Sequence, residues 1–215
     1  MNFDNFKKIL PKITKIPLPG IASQLKMAPI MRQDAIESME ERMKTARKSA
    51  VMALFYPNEV NETTIVLILR KAYVGVHSNQ VGFPGGKAEL EDTTLEVTAL
   101  RETEEEVGVN IHTIEVIREI TSTYIPPSNF LVQPYIGIVH NTPTFIPQES
   151  EVAAILEVSL QDLLSDAATI EKELTTSYAT SIKVPAFYLN DHVVWGATAM
   201  MLSEVKDIIV EASSN

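Results

Sequence analysis

The amino-acid sequence predicts an α+β fold with a mixed β-sheet. Three observations support this class. Segments of β-branched and aromatic residues outnumber the helical patterns, an acidic helical segment follows strands in the middle of the chain, and no internal repeat or low-complexity tract is present. With 215 residues, the chain is expected to form one domain at 47–215, preceded by an N-terminal extension at 1–46 that packs against it.

The N-terminal extension is predicted to contain two helical segments. Residues 2–16 place apolar and lysine side chains at helical spacing, and Pro11 is expected to break this helix. Prolines at 17–29 interrupt the chain, and residues 34–48 have the pattern of a charged helix. We expect the extension to serve packing or the formation of a homodimer.

The main domain is predicted to begin with a hairpin of strands at 49–56 and 64–69, because asparagines between these apolar runs favour a turn. A glycine turn follows, and then an acidic helix that ends at Gly108. The remaining predicted elements are extended segments at 110–120, 130–139 and 152–158, a short helix at 160–165, a hairpin of 183–189 with 193–195 about Asn190 and Asp191, and a last helix at 196–211.

The composition excludes several classes of protein. The hydrophobic share of 45% is enough for a sizeable core, but no apolar run is long enough to span a membrane and no secretory signal region is present. The absence of cysteine excludes disulfides, a thiol nucleophile and zinc–thiolate sites, so we expect a cytoplasmic protein. The net charge of −10 argues against a nucleic-acid partner, whereas a small phosphorylated substrate is compatible because a bound metal reverses the local field.

Three glutamates of the acidic helix form the candidate metal site. Glu102, Glu105 and Glu106 stand at positions i, i+3 and i+4, so they project from one face. A run of charge is commonly a solvated helix face, but a separate apolar stripe fixes this helix against a core and holds the acids at a defined edge. Mg²⁺ or Mn²⁺ would compensate the repulsion among the carboxylates. The stripe consists of Leu95, Ala99, Leu100, Thr103 and Val107.

The segment before this helix is predicted to position phosphate. Residues 83–86 read Phe-Pro-Gly-Gly and are expected to form a tight turn, in which Gly85 and Gly86 let the backbone approach a ligand and leave N–H groups free for anions. Arg101 lies four residues before Glu105, from where it can brace a carboxylate without competing for a metal.

The stretch from Gly85 to Val109 resembles the Nudix box, G-x5-E-x7-R-E-U-x-E-E-x-G-U, in which U is a bulky apolar residue. Asp92 stands in place of the first glutamate, with one extra residue before Arg101, and Thr103 replaces an apolar residue. Because the loop acid of the family supports the helix, the first departure concerns a bracing contact. The resemblance implies the Nudix fold, an α/β/α arrangement with the mixed sheet between helices, and metal-dependent hydrolysis of a diphosphate. The matching residues are Arg101, Glu102, Glu105, Glu106, Gly108 and Val109.

Residues upstream of the box resemble the signature of coenzyme A pyrophosphatases within the Nudix superfamily, although Lys71, Gly75 and Asn79 depart from it. The resemblance implies a small nucleotide partner, coenzyme A, cleaved into 3′,5′-ADP and 4′-phosphopantetheine. Other interpretations remain open for Arg70, as a surface charge at a strand end, and for His77, as a loop histidine bonded to backbone. The implied substrate-binding residues are Arg70, His77, Gln80, Phe83, Gly85 and Gly86.

The expected catalytic residues are Glu105, Arg101 and Glu151, and the general base is open among Glu105, Glu149 and Glu151. Two alternatives to coenzyme A hydrolysis remain. The first is the same chemistry on ADP-ribose or a dinucleotide. The second belongs to another class, a sensor that binds a nucleotide or coenzyme A without hydrolysing it. The presence of all three box glutamates together with Arg101 favours turnover over sensing.

Overall fold

A computed structural model describes residues 1–29, 41–72, 79–176 and 179–214. The α-helices that have both ends in these ranges are α1 (Phe3–Ile13), α2 (Ile21–Leu25), α3 (Leu95–Val107), α4 (Leu160–Leu164) and α5 (Gly196–Ser213). The strands are β1 (Arg47–Pro57), β2 (Thr63–Arg70), β3 (Val81–Gly82), β4 (Gly85–Lys87), β5 (Glu115–Glu119), β6 (Thr123–Ile125), β7 (Phe130–Ile138), β8 (Val152–Ser159), β9 (Thr169–Thr176), β10 (Ala179–Leu189) and β11 (His192–Trp195).

Strand β1 is the centre of a mixed sheet, which confirms the predicted fold class. It runs parallel to β7 along its length, from Arg47 opposite Phe130 to Phe55 opposite Ile138. It runs antiparallel to β2 and to the short strand β4. Among the described residues this sheet contains eight strands, and β9, β10 and β11 form a separate antiparallel sheet of three.

Alternate side chains of β1 enter two cores on opposite faces of the mixed sheet, because successive residues of a strand point to opposite sides. Helices α1 and α5 cover one face, and α3 covers the other, so the sheet lies between helices as expected. The β1 residues are Val51, Ala53 and Phe55 on the face of α1 and α5, and Ala50, Met52 and Leu54 on the face of α3.

Helix α1 continues through Pro11 to Ile13, which corrects the predicted break. Pro11 lies in the last turn, where a missing N–H costs at most one hydrogen bond, and the burial of the apolar face of the helix outweighs that loss. The helix begins after Asn2, whose side chain accepts a hydrogen bond from Asn5 N–H at 2.9 Å. The buried residues of α1 are Phe3, Phe6 and Ile13.

The N-terminal extension is joined to α5 by a buried polar network. Gln24 Nε2 donates to Glu204 Oε2 at 2.9 Å and to Thr121 O at 2.8 Å. Both Thr121 N–H and Thr121 Oγ1 donate to the other oxygen of Glu204, at 3.2 and 2.7 Å. Glu204 is 0% exposed and Gln24 2%, so these bonds replace water for a buried carboxylate.

The predicted charged helix at 34–48 lies largely outside the described residues. Residues 41–44 are helical, whereas Arg47 and Lys48 already belong to β1, so the helix ends earlier than predicted. The division of the chain between residues 46 and 47 stays a prediction. No helix in the described ranges has both the length and the apolar character needed to cross a bilayer.

Candidate active site

Helix α3 is fixed at both ends by its own sequence. The Thr94 side chain accepts a hydrogen bond from Val97 N–H at 3.2 Å at the start, and Gly108 adopts a left-handed φ of 75° at the end. The buried face differs from the predicted stripe. Leu100 is only half-buried, whereas the polar residues Thr98 and Glu106 lie inside. The buried residues of α3 are Thr98, Ala99, Thr103, Glu106 and Val107.

Glu106 is a buried carboxylate anchored from two directions. Its side chain is 1% exposed. Oε2 accepts a hydrogen bond from Gly85 N–H at 2.7 Å, and Oε1 accepts one from Arg70 Nη1 at 3.2 Å. Burial raises the pKa of Glu106 to about 7, even though Arg70 and the Gly85 N–H favour its charged form. These contacts join α3, β2 and β4 at one carboxyl group.

Gly85 and Gly86 belong to strand β4, which pairs with β1, and not to a free turn. At Gly85, with φ of 149°, an added Cβ would lie 2.4 Å from Ala50 O. At Gly86 it would lie 2.4 Å from the carboxyl atoms of Glu102. The expectation of an N–H free for anions is wrong for Gly85, because that N–H already donates to Glu106. Gly85 is therefore needed for its close approach to β1, and Gly86 for the close approach of the backbone to Glu102 of the acidic helix.

Glu102 and Glu105 share one donor, the Nη1 of Arg101, which lies 3.1 Å from an oxygen of each. The Glu102 side chain is 14% exposed and that of Glu105 is 48% exposed. Burial raises the pKa of Glu102, and the nearby negative charge of Glu105 adds to that increase. The three box glutamates therefore lie at graded depth, with Glu106 innermost and Glu105 at the surface.

Asp92 makes the bracing contact that its shifted position put in question. Arg101 donates to both of its oxygens, from Nε at 3.1 Å and from Nη2 at 2.9 Å. Thr98 Oγ1 and Glu89 N–H each donate to Asp92 Oδ2 at 2.9 Å. The hydrogen bond from Arg101 is the main reason that the pKa of Asp92 is lowered below its ordinary value. Asp92 has a shorter side chain than the glutamate of the family, and one extra residue separates it from Arg101. With both changes together, the carboxylate still reaches the guanidinium.

Glu151 lies on a loop that docks on the end of α3. Gln148 N–H donates to Glu106 O at 3.0 Å, and Glu151 N–H donates to Gln148 O at 3.1 Å. Beyond burial, which is the main cause, the negative charge of Glu151 raises the pKa of both Glu102 and Glu106. The predicted catalytic residue Glu151 is therefore brought into the electrostatic environment of the box glutamates.

Arg70 lies inside the site, where two of its guanidinium donors bond to protein. Its Nη1 contacts Glu106, and its Nη2 donates to Gly85 O at 2.8 Å. Its partner Glu106 is 36 positions away in the sequence, so no local pattern could have shown this pair. Gln80 lies beside it, and Gln80 O accepts from Arg70 N–H at 3.0 Å.

One predicted substrate-binding residue does not join this group. Phe83 is 2% exposed and packs in the core on the face of α5, which corrects its predicted contact with substrate. The hydrophobic Phe-Pro pair before the glycines drives the chain inward there. The prediction for His77 lies outside the described residues.

The predicted metal site depends on where the carboxylate oxygens of Glu102, Glu105 and Glu106 lie. In the described part of the chain, no three Asp, Glu or His side chains converge as they stand on a point where they could hold a metal ion. Arg70 and Arg101 hold the carboxylates instead. The donor set is nevertheless the kind that a hard divalent cation takes, since it consists of carboxylate oxygens, among which the charge of Glu105 raises the pKa of Glu102 and the charge of Glu102 raises the pKa of Glu106. Mg²⁺ or Mn²⁺ binding by Glu102, Glu105 and Glu106 stays a prediction.

Comparison with known proteins gives consistent matches. A family model described as NUDIX domain matches residues 46–178. The chain is 32% identical over 141 residues to the uncharacterized Nudix hydrolase NudL of Yersinia enterocolitica, an alignment that covers 66% of this chain and 71% of the relative. It is 27% identical over 180 residues to Nudix hydrolase 22, chloroplastic, of Arabidopsis thaliana, covering 81% of this chain and 59% of that protein.

A solved structure shows the same fold. The crystal structure of a MutT/nudix family protein from Enterococcus faecalis superimposes with a TM-score of 0.52 at 17% sequence identity. The superposition covers 84% of this chain and 71% of the other. At that level of identity, the likeness concerns the fold alone.

Proposed function

This chain belongs to the Nudix hydrolase family and is therefore a pyrophosphohydrolase, and we propose that its substrate is coenzyme A or a derivative. Cleavage at the internal diphosphate would give 3′,5′-ADP and 4′-phosphopantetheine. The support for this substrate is the match of Arg70, Gln80 and residues 83–86 to the coenzyme A pyrophosphatase signature.

One observation carries the proposal. The Glu106 carboxylate accepts a hydrogen bond from Gly85 N–H at 2.7 Å and lies 3.2 Å from Arg70 Nη1. The signature residues before the box and the acid helix of the box therefore meet at one buried carboxylate. A residue set that selects substrate and a residue set that hydrolyses it would have to meet in this way.

The reaction adds water to one phosphorus of the diphosphate, breaks the bond from that phosphorus to the bridging oxygen, and gives two phosphate monoesters, whose full ionisation releases two protons. A divalent cation held by Glu102, Glu105 and Glu106 would supply neutralisation of phosphate charge and a more acidic water. Arg101 holds Glu102 and Glu105 in position. Glu105 and Glu151 are the two candidates for accepting the water proton, because both are exposed carboxylates whose charge reaches Glu102.

The experiment is a product assay with Mg²⁺ or Mn²⁺ on coenzyme A, ADP-ribose and a dinucleotide as separate substrates. The control protein carries Glu105→Gln and Glu106→Gln. Glu104→Gln is the matched control, since it removes one charge from an exposed position of the same helix. Release of 3′,5′-ADP that the double variant loses and Glu104→Gln keeps is the expected result. Cleavage of ADP-ribose alone would overturn the substrate, and tight binding of coenzyme A without any product would indicate a sensor.

A further inference from the structure

Lys48 is an exposed lysine on the face of the mixed sheet that carries the box glutamates. The next residues of β1 on that face, Ala50 and Met52, are buried in the core beneath α3. Because side chains alternate along a strand, the side chain of Lys48 lies on the same face as theirs. Lys48 therefore stands at the rim of this core, where the covered part of the face ends and solvent begins.

The strand pairing brings Lys48 close to Glu102. Ala50 lies opposite Gly86 in the antiparallel register of β1 with β4. Ala88 N–H donates to Lys48 O at 3.0 Å, so Lys48 is the diagonal neighbour of Gly86. Such neighbours lie roughly 7–8 Å apart. The carboxyl group of Glu102 lies against Gly86, since a Cβ added to that glycine would be 2.4 Å from it. The long, flexible side chain of Lys48 can therefore reach the space beside Glu102.

The ammonium group of Lys48 has no carboxylate partner in the described ranges, where no Asp or Glu oxygen lies within 4.0 Å of it. The two arginines of the site differ in this respect. All three guanidinium nitrogens of Arg101 donate to protein acceptors. Arg70 donates to Glu106 and to Gly85 O. Lys48 thus keeps its positive charge for a ligand, whereas both arginines use theirs to hold the site together.

The site needs further positive charge when a diphosphate binds. Its carboxylates are the three box glutamates, Asp92 and Glu151, and the guanidinium groups of Arg70 and Arg101 face them. A divalent cation would offset part of this negative charge, but the diphosphate adds its own. A lysine ammonium is a compact positive charge that suits phosphate oxygens. A lysine beside Glu102 would therefore stabilise the bound diphosphate.

We propose that Lys48 is a substrate-binding residue whose ammonium group contacts a non-bridging oxygen of the diphosphate, at the phosphate beside Glu102. This inference rests on the proposed binding of a diphosphate at the box glutamates. It does not depend on coenzyme A, because ADP-ribose and dinucleotides also contain a linkage between phosphates. The ligand class that Lys48 recognises is therefore the phosphate chain of a nucleotide.

The test measures the binding of α,β-methylene-ADP, whose P–C–P bridge is not hydrolysed, by calorimetric titration in the presence of Mg²⁺. The proteins compared are the wild type, Lys48→Gln, Lys48→Arg and Lys87→Gln. Lys87 is the matched control, because it is exposed and lies opposite Ser49, so alternation places its side chain on the other face of the sheet. Lys48→Gln should bind the nucleotide about tenfold more weakly, whereas Lys48→Arg and Lys87→Gln should stay within about twofold of the wild type.

Three results of the titration would overturn the proposal. The first is an unchanged affinity in Lys48→Gln. The second is an equal loss in Lys87→Gln, which would show a general effect of net charge. The third is a wild type that does not bind α,β-methylene-ADP. Thermal melts of both Lys48 variants should match that of the wild type, because the side chain is exposed and its loss leaves no cavity.

Hydrolysis separates this inference from the proposed function. With whichever substrate the wild type cleaves, coenzyme A or ADP-ribose, Lys48→Gln should lower kcat/KM about tenfold and Lys48→Arg should keep most of it. Cleavage of ADP-ribose alone would overturn coenzyme A as the substrate and leave the role of Lys48 in place. A normal kcat/KM of Lys48→Gln on coenzyme A would overturn the role of Lys48 and leave the substrate in place.

Discussion

Arg70 Nη1 lies 3.2 Å from Glu106 Oε1, so the last residue of β2 provides the cation for the most deeply buried carboxylate of α3. The same guanidinium donates to Gly85 O, and Gly85 N–H donates to Glu106. The three groups form a closed ring of hydrogen bonds that fixes the acidic helix against the sheet. We therefore expect a substitution of Glu106 to lower mainly turnover, and a substitution of Arg70 to lower the free energy of unfolding.

Glu106→Gln should lower kcat by at least about a hundredfold, equivalent to ~2.7 kcal/mol of transition-state stabilisation, if Glu106 is a metal ligand. The amide keeps the shape of the side chain, so the fold should be kept. The measurement is steady-state kinetics at saturating Mg²⁺ together with a thermal melt. Glu104→Gln is the control and should stay within about twofold of wild type. Near-normal turnover of Glu106→Gln would remove Glu106 from the ligand set.

Arg70→Met should lower the free energy of unfolding by about 1–3 kcal/mol, because a buried carboxylate loses its charged partner. Adding Glu106→Gln removes that stranded charge, so the double variant should be more stable than the sum of the single changes predicts. The expected coupling energy is about 0.5–3 kcal/mol, measured by urea denaturation of the four proteins. The pair Arg70→Met with Glu104→Gln is the control and should be additive. Additivity of the Arg70 and Glu106 changes would contradict the ion pair as a stabilising contact.

Asp92→Asn should lower the free energy of unfolding at pH 7 by about 1–3 kcal/mol, because the Arg101 guanidinium loses an ionised acceptor. The folded protein lowers the pKa of Asp92, so the stability from this carboxylate is present above its unfolded pKa and is lost as the pH falls through the folded pKa. The difference between wild type and Asp92→Asn should therefore be full at pH 7 and should shrink below about pH 4.

Urea denaturation at pH 7, 5 and 3 measures this dependence. Glu89→Gln is the control, since Glu89 contacts Asp92 through its backbone N–H. A difference between wild type and Asp92→Asn that stays constant down to pH 3 would show that the pKa of Asp92 is not lowered.

Gly85→Ala should mainly lower the free energy of unfolding, whereas Gly86→Ala should mainly lower kcat. The Cβ at Gly85 meets backbone, at 2.4 Å from Ala50 O, so this variant should lose roughly 1–3 kcal/mol or more of unfolding free energy. The Cβ at Gly86 meets the end of the Glu102 side chain, which can rotate away. Gly86→Ala should therefore fold but have a lower kcat. Thermal melts and kinetics of both variants would check this, and a Gly86→Ala protein with normal kcat would show that the position of Glu102 is unimportant.

Local signals in the sequence were sufficient for much of the fold. The first hairpin forms around Asn58 and Asn61, and the last one turns at Asn190 and Asp191, whose φ values are both positive, at 46° and 62°. Helix α3 ends at Gly108, as that glycine predicts. Such features depend on a few neighbouring residues, and so they can be inferred without knowing the tertiary structure.

Long-range packing decided the features that the sequence analysis missed. Phe83 is a core residue because α5 covers it, and Gly85 N–H is not free because Glu106 reaches it across 21 positions. Strand β9 was not predicted, since its sequence has many charged residues and its pairing with β10 places it in the second sheet. In each case the deciding partner lies far away in the sequence.

The hydrogen bond between Gln24 and Glu204 spans 180 positions. During synthesis on the ribosome, this hydrogen bond can form only after α5 has emerged, so we expect the packing of the first two helices to be completed late. Nascent chains arrested before Gly196 should be cut by protease in the first 29 residues, whereas chains released after Ser213 should resist. Equal resistance of both would show that the amino-terminal segment folds before its partner helix is made.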